Sequence, residues 1–196
     1  LKSWEESDIS SRAPFIKELN DKIFSLDNRV NKVIAKLTNS TTQVLFYNSL
    51  GTLCSDERPM ATLSVTVIMQ SGSRVENGSA SRSYRMGSEF LTHNLIDEIA
   101  QEAVKRTAIL FEAGIPEGGE MAVVMGAGGS GILLHEAIGH AFEADFNRQN
   151  ISIFSDKLGK KICSSEISVV DDGTVQGNRG SVNFDDEGVA GQKTFM

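Results

Sequence analysis

Apolar residues at Phe15, Ile16, Leu19, Ile23 and Leu26 recur at helical steps behind Pro14, which predicts a first helix ending near Asp27 and Asn28. Val30 to Leu37 and Thr42 to Tyr47 read as two short β segments of a hairpin, separated by the polar run 38–42, with Asn48 to Gly51 as the next turn. From Met60 to Gln70 the apolar positions Leu63, Val65 and Val67 alternate with Thr62, Ser64 and Thr66, as in a strand with one buried face. Turn residues at 71–73 and 76–78 precede a polar, edge-like strand from Ser79 to Arg85. Thr92 to Ala113 then carries one apolar stripe (Leu95, Ile96, Ile99, Ala103, Val104, Leu110), and Gly114 and Pro116 end it. The first half therefore reads as a helix, an antiparallel meander and a covering helix.

A connector at 115–120 marks the expected domain boundary, giving a middle α+β domain at 1–115 and the beginning of a second domain at 116–196. Beyond it the pattern predicts a short apolar strand, Met121 to Met125, a glycine loop from Gly126 to Gly131, and then a helix. Ser165 to Val170 and Gly180 to Phe184 read as strands closing on the acidic turns at 171–173 and 185–188. Those carboxylates have a calcium-like look but not the spacing of a helix-loop-helix calcium site, and solvated turns explain them.

Two of the three histidines lie in the helix after the glycine loop, as His135, Glu136 and His140 in the pattern H-E-x-x-x-H. The better-known zinc-peptidase spacing of four places both imidazoles on one helix face, about 5–6 Å apart at Cβ. A spacing of five turns a regular helix through roughly 500°, leaving the side chains about 140° apart. One ion is then out of reach of both rings unless the helix is irregular. Gly139 stands just before the second histidine, so a π-bulge or break there is expected to bring His140 back toward His135. Two imidazoles in this setting suit a Zn²⁺ ion with an open position for water, and Glu136 suits a general acid/base beside it. A buried helix with incidental histidines fits the six residues as well.

Strand, G-x-G-x-x-G and helix in succession is also the dinucleotide-binding fingerprint, with Gly126, Gly128 and Gly131 as its glycines and Asp156 at the end of a possible second strand, 151–155. A dinucleotide domain and a non-catalytic interaction subunit therefore stand as alternatives to the peptidase. Glu143, Asp145, Asn147 and Arg148 either orient the imidazoles or cap the helix end. His93 is either a third ligand or a surface residue near a helix start. Cys163 is either a thiolate ligand or a small packing residue.

Charge narrows the classes. Nineteen basic against 26 acidic residues leave a net charge of −7 over 196 residues, which argues against a general nucleic-acid or anionic-membrane binder. No apolar run approaches the ~20 residues of a membrane span, and Leu1 to Glu6 lacks the pattern of a signal peptide. Cys54 and Cys163 are too few for a disulfide framework, which favours a reducing compartment. The absence of an initiating Met and the ending at 193–196 lead us to expect a piece of a longer polypeptide.

The run from Gly131 through His135, Glu136, His140 and Asp145 to Arg148, followed by 152–155, 169–174 and 179–188, resembles the TldD side of the TldD/PmbA family. The likeness extends upstream through Arg58 to Val65 and the helix before the connector. It implies an α+β chain: two helices packed with an antiparallel meander, then the truncated start of a β-rich catalytic domain carrying the H-E-x-x-x-H helix. It implies a cytoplasmic zinc metallopeptidase acting on unstructured peptides or small proteins, with His135 and His140 as zinc ligands and Glu136 as catalytic acid/base. It further implies one zinc per catalytic subunit, with the third ligand a cysteine from a later part of the polypeptide. Neither Cys54 nor Cys163 matches that position, so this chain alone is expected to be weakly active or inactive. A PmbA-like (TldE) subunit or a second copy is the implied partner.

Overall fold

A computed structural model describes residues 3–5 and 8–196, so most of the opening stretch read against a signal peptide lies outside the described residues. The chain divides into two compact units, Leu1–Gly114 with Val170–Met196, and Ile115–Val169.

In the first unit, a 3-10 turn (Ile9–Arg12) leads into helix α1 (Ala13–Leu26), with Pro14 in its first turn and Leu19 and Ile23 fully buried. Strands β1 (Val30–Tyr47), β2 (Leu53–Ser71) and β3 (Arg74–Tyr84) form an antiparallel sheet in the order β1-β2-β3. The expected hairpin at 38–42 is not there: β1 runs unbroken through those residues, with Thr38 opposite Thr62 and Thr42 opposite Arg58. The polar run is tolerated because β1 is an edge strand and its threonines are β-branched, a good fit to a pleated surface. The reversal falls at Asn48 to Thr52 instead. Asn48 Oδ1 accepts the N–H groups of Leu50 and Thr52 at 3.0 and 3.1 Å, and Gly51 takes φ 87°, a conformation that favours glycine.

The alternation in β2 buries Ala61, Leu63, Val65, Val67 and Met69 against the helices. Thr62 and Thr66, on the opposite face, pair with Ser83 and Ser79 across the strands at 2.7 and 2.8 Å. Helix α2 (His93–Ala108) begins where Thr92 Oγ1 accepts the Leu95 N–H at 3.2 Å, and continues as a 3-10 turn, Ile109–Phe111. Its buried side, Leu95, Ile96, Ile99, Ala100, Ala103, Val104 and Thr107, completes the core with α1 and the sheet. Gly78 of β3 lies close beneath α2: a Cβ there would stand 2.6 Å from Thr107 Oγ1.

The last residues of the chain belong to this unit. Strands β4 (Val170–Asp172) and β5 (Lys193–Phe195) pair antiparallel, and Tyr84 bridges to Asn178. Asp56, whose side chain is 3% exposed, accepts from Arg58 at 2.9 Å, Arg85 at 2.6 Å and Asn183 at 2.7 Å. Arg58 and Arg85 also donate to the carbonyls of Phe184 and Ser181, at 2.9 and 2.7 Å. Burial pushes the Asp56 carboxyl up, but the hydrogen bonds from Arg58, Arg85 and Asn183 outweigh it and hold the group below its ordinary value. Of the strands expected here, 165–170 shortens to the start of β4, and 180–184 leaves a single bridge, Phe184 to Ala190.

The second unit has short helical pieces and turns. Met121 to Met125 is not a strand, because among the described residues no neighbouring strand pairs with it, and Val123 and Val124 are 72% and 98% exposed. Residues 151–155 are turns, not a second strand. Among the described residues no helix is long and apolar enough to cross a membrane.

Candidate metal centre

Three short segments in direct succession carry the histidines. Helix α3 (Ser130–Leu134) follows the glycine loop, a π turn occupies His135–Gly139, and a 3-10 turn occupies His140–Phe142. In the π turn the His140 N–H donates to the His135 carbonyl, a five-residue reach in place of the usual four. This absorbs the extra residue of the H-E-x-x-x-H spacing, and the two imidazoles meet edge to face with ring centroids 4.4 Å apart. The irregularity expected from the spacing is therefore present, and it covers the whole interval between the histidines.

Gly139 is needed for close approach, not for an unusual φ, since its backbone is helical (φ −52°, ψ −57°). A Cβ at this position would lie 3.1 Å from His135 Nδ1. The bare glycine leaves the space into which the first imidazole folds.

One ligand atom from each of His135, Glu136 and His140 can be chosen so that all lie within 4.8 Å of one another. His140 Nε2 is 4.0 Å from Glu136 Oε2, while its Nδ1 is 2.6 Å from Glu143 Oε1. The two ring nitrogens therefore face different groups. Two imidazoles supply nitrogen donors suited to a divalent transition ion, with a carboxylate close beside them, so the residues fit a metal. All three are exposed, and among the described residues this is the one such group of three or more.

Glu143 sits where the helix breaks (φ −56°, ψ 134°), at the entry to helix α4 (Ala144–Arg148), and its carboxylate turns to His140 instead of capping α4. Asn147 Nδ2 donates to the carbonyls of Ala141 and Glu143, both at 2.9 Å. Asp145 and Arg148 lie in the same short helix. Ser152, a residue the sequence pattern placed in a strand, donates from Oγ to the Ala141 carbonyl at 2.6 Å. No spacing signal points to it, because the contact depends on a turn that brings residue 152 back to residue 141.

Other candidates fall elsewhere. His93 Nδ1 lies 2.7 Å from Glu18 Oε1 on the surface of the first unit, where it joins α1 to α2. Cys54 is half-buried in β2 and Cys163 is exposed; neither joins the histidine group. The glycine loop lacks the setting of a dinucleotide site: no strand leads directly into it, α3 is five residues long, and both sheets among the described residues are antiparallel.

Residues 2–111 match the model of the PmbA/TldA metallopeptidase central domain, and residues 118–196 that of the PmbA/TldA metallopeptidase C-terminal domain. The chain is 37% identical to the Metalloprotease TldD homolog of Buchnera aphidicola subsp. Acyrthosiphon pisum, over 99% of this chain and 40% of that protein. It is 40% identical to the Metalloprotease TldD homolog of Haemophilus influenzae, over 85% of this chain and 36% of that protein. The chain thus spans about two fifths of the length of these relatives. Its fold is shared with a crystal structure from Thermotoga maritima described as a candidate modulator of a DNA gyrase, with a TM-score of 0.76 and 21% identity over 100% of this chain and 44% of the other.

Proposed function

We propose, because the chain belongs to the PmbA/TldA metallopeptidase family, that it carries the metal-binding helix of a zinc peptidase of the TldD type. The observation that carries this reading is the π turn that brings His135, Glu136 and His140 together. His135 and His140 hold the ion. When bound, zinc supplies Lewis acidity that lowers the pKa of a water toward neutrality.

Glu136 would accept a proton from the attacking water at its carboxylate oxygen as the water oxygen bonds to the peptide carbonyl carbon, and hand it to the leaving amine nitrogen as the C–N bond breaks. Its side chain is 63% exposed, open to water and to an incoming peptide. The remaining ligand is a cysteine outside this chain, as the resemblance implies, which makes two histidines alone a weak site. Residues 1–115 correspond to the middle domain and 116–196 to the beginning of the catalytic domain. Unstructured peptides or small proteins are the substrates, the cytoplasm is the compartment, and a PmbA-like subunit or a second copy is the partner.

The test is cleavage of an unstructured peptide by the full-length protein together with its partner subunit. Glu136→Gln is expected to retain zinc and lose cleavage. Cleavage that persists at the parental rate in Glu136→Gln would remove the assigned acid/base role.

A further inference from the structure

The second imidazole and the turn that carries it are each held. Glu143 Oε1 lies 2.6 Å from His140 Nδ1. One residue beyond the histidine, the Ala141 carbonyl accepts from Asn147 Nδ2 at 2.9 Å and Ser152 Oγ at 2.6 Å. The helix breaks at Glu143, so this carbonyl lies in a last turn, where intrahelical donors run out.

Ser152 is itself fixed. Its N–H donates to the Phe146 carbonyl at 3.4 Å, and its hydroxyl accepts the Phe154 N–H at 3.1 Å. The Phe154 ring stacks on Phe142 with centroids 4.9 Å apart and planes 4° from parallel. The segment after α4 is thus fastened to the same 3-10 turn that carries His140.

We infer that Glu143, Asn147 and Ser152 are positioning residues for His140: Glu143 selects the ring nitrogen offered to a metal, and the grip of Asn147 and Ser152 on Ala141 holds the turn that aims it. In the neutral ring Glu143 accepts the Nδ1–H, which leaves the lone pair on Nε2, the nitrogen that faces Glu136. A carboxylate behind a ligating imidazole fixes both tautomer and ring orientation. The significance of this arrangement for catalysis rests on the metallopeptidase reading, but the ring state does not.

Two readouts on the metal-stripped full-length protein separate these layers. The first is nitrogen NMR of the His140 ring at a pH where it is neutral, with His140→Ala to assign the signal. The parent is expected to show the Nδ1–H tautomer, Glu143→Ala to lose it, and Glu143→Gln, which keeps an acceptor oxygen, to restore it. The second is cobalt(II) titration, in which Glu143→Ala and Ser152→Ala are each expected to weaken binding by about 10–100-fold. Thermal unfolding of each variant checks that the chain remains folded.

An Nε2–H tautomer in the parent, or affinity unchanged in both alanine variants, would overturn the positioning role. A purely structural role would lower the unfolding temperature and leave the tautomer as it was. A parent that shows the Nδ1–H tautomer yet takes up no cobalt would support the ring assignment and defeat the peptidase reading instead.

Discussion

Replacing Gly139 with alanine sets two physical effects against each other. Its backbone is helical, so alanine fits without strain, and in a helix interior it is favoured over glycine by roughly 0.5–1 kcal/mol. The new Cβ, however, would lie 3.1 Å from His135 Nδ1, against an ordinary carbon contact of about 3.5–4.0 Å. The imidazole must retreat by about 0.5 Å, close to the tolerance within which a ligand set keeps its geometry. If it does so by turning about 30° from its rotamer, the cost is about 0.5–1.5 kcal/mol, and holding the ring in place for a metal then weakens affinity roughly two- to tenfold. Gly139→Ala should therefore unfold at the same or a slightly higher temperature while binding zinc or cobalt less tightly, as read by thermal unfolding and metal titration of the full-length protein. Parental metal affinity in a folded Gly139→Ala protein would refute the close-approach reasoning.

Other predictions concern the first unit. Asp56→Ala strips two arginines, 24% and 10% exposed, of a shared carboxylate. The loss should be about 3 kcal/mol, or a fall of about 6–12 °C in melting temperature for a chain of this size, and Asp56→Asn should fall between the two. Because the folded Asp56 carboxyl lies below its unfolded value of about 3.9, its contribution is complete above that pH and lost as the pH falls through the folded value. Acid unfolding followed by circular dichroism should therefore show a stability loss below about pH 4 that is smaller in Asp56→Asn. Gly78→Ala drives a Cβ to 2.6 Å from Thr107 Oγ1 and should lower the melting temperature; pairing it with Thr107→Ser, which keeps the hydroxyl, should not recover the loss, whereas Thr107→Ala should recover part of it.

Local pattern was sufficient for much of this molecule. The alternation from Leu63 to Val67 marked the buried face of β2, and Thr92 with the stripe from Leu95 to Val104 marked α2, because each depends on neighbours in sequence. The histidine spacing likewise announced an irregular helix, since five residues and a glycine left few ways to bring two imidazoles together. What escaped was non-local. The polar run 38–42 looked like a turn but is held extended by its pairing with 58–62, and the apolar run 121–125 looked like a strand but has no strand to pair with. Asp56 gave no signal, because its partners Arg85 and Asn183 lie far along the chain. Ser152 was hidden for the same reason at shorter range.

Metal content of the purified full-length protein tests the central claim most directly, measured by elemental analysis beside His135→Ala and His140→Ala. The proposed zinc-peptidase reading predicts one zinc per subunit in the parent and its loss in both variants, with the fold retained. A folded parent that holds no zinc, or variants that hold as much as the parent, would contradict it.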